Sequence, residues 1–236
     1  MAKKLYLIPT ALSADSEYEM VPASTVSMIQ DLRVFWVEEE KAARRFLKKA
    51  VPSLPIQECT LFLLNEHTHH GEIEENFKKC GDQDMGILSE AGCPCVADPG
   101  TEVVSWAHQY QWKVVPLVGP SSILLALMAS GLGGQRFAFY GYLPKDKSQR
   151  LRKIKMLEDL SLREQQTQIF METPYHNQVL LEEILSCCAP QTRLCIAVDL
   201  TAPTQEIKMM TIQEWRKGAL PAIHKRPALF LMERRK

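Results

Sequence analysis

Short apolar runs that each stop in polar, proline or glycine residues recur along the whole chain. Lys4 to Ile8, Val34 to Val37, Thr60 to Leu64, the run ending at Ile87 and Leu88, and Lys113 to Leu117 read as strands. Phe137 to Tyr142, Thr167 to Met171, Arg193 to Leu200 and Ala228 to Met232 read the same way. Between them lie segments with a helical period. Pro22 to Gln30 opens on a proline, and Val26, Met28 and Ile29 give it an apolar side. A helix starts at Glu38-Glu39-Glu40 and ends among Lys48 and Lys49, the charge order that the helix dipole favours. Further helices are expected through Phe77 to Lys79, Thr101 to Gln111, Ile123 to Ser130 and Val179 to Leu185, and Thr211-Ile-Gln-Glu214 has the form of a capping box. Strands and helices therefore alternate, which predicts an α/β fold. Val118-Gly119-Pro120 punctures the pattern and the alternation restarts after it, so two α/β domains are expected over 1–118 and 119–236.

The stretch Met85 to Gly100 stands out from this background. Its apolar start gives way to Ser89-Glu-Ala-Gly-Cys-Pro-Cys-Val-Ala-Asp-Pro-Gly, a tight loop leaving the carboxyl end of a buried strand. Open α/β sheets bind ligands at that edge. Ala91 and Gly92 would let a ligand approach the backbone, and the two prolines stiffen the loop. The residue types alone are equally those of an ordinary strand-to-helix connection.

Composition narrows the function classes. The chain has 28 Lys plus Arg against 28 Asp plus Glu, so no net field draws it toward nucleic acid or an anionic membrane, and any basic surface must be local. The basic candidate is Lys145 to Lys155, beside Tyr140 and Tyr142, where aromatics and cations alternate as RNA binding requires; a solvated helix face explains the same charges. No apolar run is long enough to span a bilayer and the start lacks a signal-peptide core, so a cytoplasmic protein without membrane contact is expected. The seven cysteines show no zinc-ribbon spacing and are expected to be reduced. His67, His69 and His70 lie near Glu66 and Glu72 but lack helical metal-ligand spacing, so no metal is expected.

Several motifs, taken in order, resemble the tetrapyrrole methylase family, in the branch that methylates small-subunit ribosomal RNA at a ribose 2′-oxygen. The Ser89 to Gly100 loop is similar to that branch's Ser-Asp-Ala-Gly-Thr-Pro-x-Ile-x-Asp-Pro-Gly signature. Leu5-Tyr6-Leu7 with Pro9-Thr10, Asn65-Glu66, Gly119-Pro120-Ser121, Ser130-Gly131-Leu132, Phe139 to Lys145 and Glu172-Thr173-Pro174-Tyr175-His176 resemble further family segments. The resemblance implies two α/β domains, S-adenosylmethionine held in a cleft between them, and a homodimer. It assigns the methyl donor to Ala91, Gly92, Cys93 and Val96, to Ser121 and Ser122, and to Met171, Leu200, Pro227 and Ala228. Ser121 and Ser122 could equally serve only as helix caps.

For catalysis, Glu38 and Asn65 are expected to face the crevice from neighbouring strand ends, Glu38 as proton acceptor and Asn65 as orienting group. Helix-dipole compensation and a turn are their competing roles. Lys145, Lys147 and Arg150 would hold the RNA backbone. The branch differs from this chain at three places: it carries Glu-Asp-Thr-Arg where Glu38 to Lys41 stands, arginine near Asn177, and Leu-Thr-Lys where Leu200-Thr201-Ala202 stands. Those departures keep two alternatives open, a methyltransferase acting on a tetrapyrrole or other small molecule, and a non-catalytic RNA-binding relative.

Overall fold

In the computed structural model, which describes residues 3–13, 21–65, 68–81 and 83–235, the chain divides into two units, Met1–Ser121 and Ser122–Lys236. The first unit runs β1 (Lys4–Ile8), α1 (Ala23–Ile29), β2 (Val34–Val37), α2 (Glu40–Ala50), β3 (Thr60–Leu63), α3 (His70–Lys79), β4 (Met85–Leu88), α4 (Thr101–Gln109) and β5 (Lys113–Pro116). All five strands are parallel, in the order β3-β2-β4-β1-β5.

Burial follows that order in four of the five strands; β1, although inner, fully buries only Leu5 and Ile8. Every residue of β2 and β4 is buried, because an inner parallel strand is covered on both faces, whereas β3 and β5 expose their first and last residues at the sheet's margins. Two clusters cover the two faces: Phe35, Val37, Phe46, Leu47 and Leu88 on one side, Trp36, Ile73, Phe77, Met85 and Ile87 on the other. Each large side chain so buried contributes about 1.5–3 kcal/mol. Gly86 keeps the middle of the sheet closed, since a Cβ there would stand 2.5 Å from Ile8 Cδ1 and 2.9 Å from Phe35 Cδ1.

The order also fixes a switch point. The connection after β1 leads toward β2 on one side, and the connection after β4 leads toward β5 on the other. The loops leaving these adjacent strands diverge and open a crevice at the carboxyl edge.

The second unit contains α5 (Ser122–Ala129), β6 (Phe137–Tyr142), α6 (Lys147–Glu164), β7 (Thr167–Met171), α7 (Asn177–Cys187), β8 (Arg193–Val198), β9 (Glu206–Thr211), α8 (Ile212–Lys217) and β10 (Ala228–Glu233). Its sheet order is β6-β7-β10-β8-β9, with β6 and β7 parallel and the other pairings antiparallel. Strict alternation fails here. β9 follows β8 without a helix, and its sequence, EIKMMT, escapes a hydrophobicity reading because this margin strand is half-exposed and none of its residues is buried. The core is built from Leu157, Leu181, Ile184, Ile196, Trp215 and Phe230, while α5 packs against β10. The capping box forms as its spacing predicts, with the Thr211 and Glu214 side chains bonded to each other's backbone amides. Gly131 takes the left-handed conformation (φ 68°) just beyond α5, as a helix stop requires.

Candidate functional site

Beyond β4 the loop is held by its own short polar groups. The Ser89 hydroxyl donates to the Gly92 carbonyl at 2.7 Å, and the Asp98 carboxylate accepts from the backbone amides of Cys95 and Gly100, at 2.8 Å each. Cys95 and Ala97 are non-glycine residues in the left-handed region (φ 66° and 61°), a costly conformation that persists only where its surroundings enforce it. The loop is then stitched to the one leaving β1. Thr10 N donates to Gly92 O at 2.9 Å and its hydroxyl to Ser89 O at 3.2 Å. Gly92 sits at φ 77°, where a Cβ would meet Leu12 Cδ2 at 2.9 Å and Pro120 O at 3.4 Å. The two diverging loops of the switch point are thus one braced rim.

The acidic triplet after β2 divides into three tasks. Glu39 is the N-cap of α2, its carboxylate accepting from Lys41 N and Ala42 N at 2.8 and 2.6 Å. Glu40 lies in the first turn, paired with Arg44 at 2.8 Å. Glu38 points the other way, its Oε1 accepting from Glu90 N at 3.1 Å in the central loop. Burial pushes the Glu38 carboxyl up from its ordinary range, against the bond from Glu90 N and with help from the charges of Asp98 and Glu90. Asp98 is raised as well, because burial outweighs its two backbone donors.

Asn65 follows β3, the strand beside β2, and closes a turn in which its N–H donates to the Thr68 hydroxyl at 3.0 Å. Glu38 and Asn65 therefore stand at adjacent strand ends. Glu66 and His67, and residues 14–16 of the first loop, lie outside the described residues. Among the described residues no group of three or more His, Cys, Asp or Glu could hold a metal ion, and no helix is long and apolar enough to cross a membrane.

The loop carries four of the expected donor residues. Ala91 and Val96 are exposed, Cys93 is half-buried with its thiol near Pro120 O (3.4 Å), and Gly92 is buried. All seven cysteines are free thiols, and burial, with the Asp98 charge second, pushes Cys95 to about 12. Ser121 ends the first unit and Ser122 starts α5. In the second unit, four more are brought to one sheet edge. Met171 ends β7, Leu200 follows β8 and Pro227-Ala228 starts β10; Leu229 pairs with Met171, Ala228 with Val198, and Asp199 N donates to Pro227 O at 2.9 Å.

The basic segment needs a correction. Lys145 and Lys147 are exposed, but Arg150 is largely buried, and its guanidinium makes a forked pair with Glu183 at 2.6 and 2.8 Å. It also donates to Pro144 O and Lys145 O at 3.1 and 2.7 Å, so four of its five N–H donors are spent within the protein and it shapes this segment from within. A pairing between residues so far apart in sequence leaves no local trace. Thr10, Ser89 and Asp98 were not singled out as site residues, although an aspartate two positions before a glycine amide is a sequence signal for this kind of loop bracket.

No family model matches the chain. Among characterised relatives, the ribosomal RNA small subunit methyltransferase I of Vibrio cholerae is 28% identical over 211 residues, 89% of this chain and 69% of that protein. Its namesake in Bacillus subtilis is 27% identical over 217 residues, covering 89% and 68%. Among solved structures, the methyltransferase CobJ superposes with a TM-score of 0.63 at 14% identity, covering 98% of this chain and 93% of that one. A uroporphyrin-III C-methyltransferase of Thermus thermophilus, solved with S-adenosylhomocysteine, gives a TM-score of 0.55 at 13% identity, covering 98% of this chain and 97% of that one. The ordered motifs and these similarities make the chain similar in sequence to ribosomal RNA small subunit methyltransferase I, and the superposition gives it the fold of the methyltransferase CobJ.

Proposed function

We propose that the protein is an S-adenosylmethionine-dependent methyltransferase acting on a ribose 2′-hydroxyl of small-subunit ribosomal RNA, as a cytoplasmic homodimer. The observation that carries the reading is the braced rim at the switch point, where Thr10, Ser89 and Gly92 fix a loop of exposed backbone beside a half-buried carboxylate. When bound, the donor supplies an electrophilic methyl group on a sulfonium. In this reading the rim meets the donor: Ala91, Gly92 and Cys93 offer backbone groups and a short side chain to its amino acid and ribose.

Glu38 accepts the proton of the ribose hydroxyl in this reading, and the raised carboxyl makes it a stronger base than an ordinary glutamate. One of its oxygens is held by Glu90 N, which orients the carboxylate. Asn65 positions the acceptor, and Lys145 and Lys147 hold the RNA backbone.

The test is transfer of tritiated methyl groups to small ribosomal subunits, with donor affinity measured separately. Glu38→Gln keeps a carbonyl oxygen for Glu90 N and loses the base, so transfer should fall by about 10² or more while donor affinity holds. Equal transfer by wild type and Glu38→Gln would remove Glu38 from the chemistry. A second reading, a small-molecule acceptor, is favoured by the tetrapyrrole methyltransferases among the structural neighbours. Methyl transfer to a uroporphyrinogen, and none to ribosomal RNA, would put it first.

A further inference from the structure

Tyr175 is 64% exposed in the turn that follows β7. The Lys225 ammonium lies 5.9 Å from its ring centroid, and the His224 ring stands edge-on to it at 6.3 Å. A lone exposed tyrosine needs no explanation, but this one is mounted on fixed backbone. Lys225 N donates to Pro174 O at 2.8 Å, joining the two segments that carry the rings and the cation. Asn177, fully buried, donates from Nδ2 to Arg226 O at 2.6 Å, and Lys225 itself is held at φ 63°, outside the favoured region for a side chain.

The nearby carboxylates are engaged by other groups: Asp199 and Glu206 pair with Arg226, each at 2.7 Å, and Glu172 turns its Oε1 onto the Thr173 amide at 2.7 Å. The cluster stands just beyond the sheet edge that gathers Met171, Pro227 and Ala228. An exposed aromatic ring with a cation over one face is an arrangement against which an unpaired base can stack while its phosphate is neutralised.

We propose that Tyr175, flanked by His224 and Lys225, is a stacking platform for an unpaired RNA base, with Lys225 meeting the adjoining phosphate. This rests on the reading of RNA as the acceptor. It adds a contact in the second unit, apart from Lys145 and Lys147.

The test uses the full chain and a mixed-sequence single-stranded oligoribonucleotide carrying 2-aminopurine, whose fluorescence is quenched by stacking. Tyr175→Ala should weaken binding about tenfold and abolish the protein-induced quench, and Tyr175→Phe should restore both. Lys225→Gln should lower the slope of log K against log salt by about 0.7, the loss of one phosphate contact on a single strand. Undiminished binding and quench in Tyr175→Ala, or no binding of the oligoribonucleotide by wild type, overturns the platform. Calorimetry with S-adenosylhomocysteine on the same proteins keeps the parent reading separate. Wild type that fails to bind this ligand removes the methyltransferase, while the oligoribonucleotide still decides the platform.

Discussion

The carboxyl edge of the parallel sheet and the corresponding edge of the mixed sheet are braced in opposite ways. At the first, backbone amides and short side chains do the holding: Thr10 to Gly92, Ser89 to Gly92, and Asp98 to Cys95 and Gly100. At the second, one long side chain gathers the loops. Arg226 pairs with Asp199 and Glu206 and donates to Thr204 O and Ala222 O, over distances of 2.7 to 3.2 Å. A brace of backbone and short side chains holds the loop close to the backbone and leaves Ala91 and Val96 on its exposed surface. A brace through one long side chain concentrates stability in a single guanidinium.

Breaking each brace should show the difference. Arg226→Ala leaves Asp199 partly buried without its cation and should lower stability by about 3 kcal/mol in denaturant titration. Arg226→Lys should restore little, since an ammonium cannot copy the fork. Asp98→Ala removes two charge-assisted bonds of the loop and should lower stability by about 2 kcal/mol. A loss from Asp98→Ala larger than that from Arg226→Ala would erase the distinction between the edges.

Acid should separate the two units as well. Burial raises the Glu38 carboxyl, so its contribution to stability is full below the unfolded value of about 4.3 and is lost as pH rises through the folded value. Glu158 in α6 has the opposite sign. Burial pushes it up, but bonds from Lys155, Thr192 and Ala189 N outweigh this and hold it low. Its contribution is therefore present above about 4.3 and lost as pH falls through the folded value. Unfolding of Glu38→Gln and Glu158→Gln from pH 7 to pH 3 should show the first variant losing its advantage over wild type and the second losing its disadvantage. The same slope in both would contradict the assignments.

Separation along the chain decides what could be read beforehand. β2 and β4 were legible because an inner parallel strand must be apolar throughout, and the direction of Glu38 followed from its place at a strand end. Thr211 and Glu214 were legible because a capping box lies within one helical turn. The pairing of Arg150, expected on the RNA backbone, with Glu183 was not legible because the partner is on another helix, and β9 was missed because a half-exposed margin strand carries no clear alternation. Charges counted along a chain give their number, while their partners are set by the fold.

Calorimetry with S-adenosylhomocysteine on wild type and Gly92→Val asks whether the rim joining β1 and β4 holds the proposed methyl donor. Gly92 is buried at φ 77° with Leu12 and Pro120 against any added side chain, so valine there forces the rim apart. The account predicts binding by wild type at about micromolar affinity, a free energy of roughly −8 kcal/mol, and loss of that heat in a Gly92→Val protein that still unfolds cooperatively. No heat from wild type at millimolar ligand, or equal affinity in the folded variant, would contradict it.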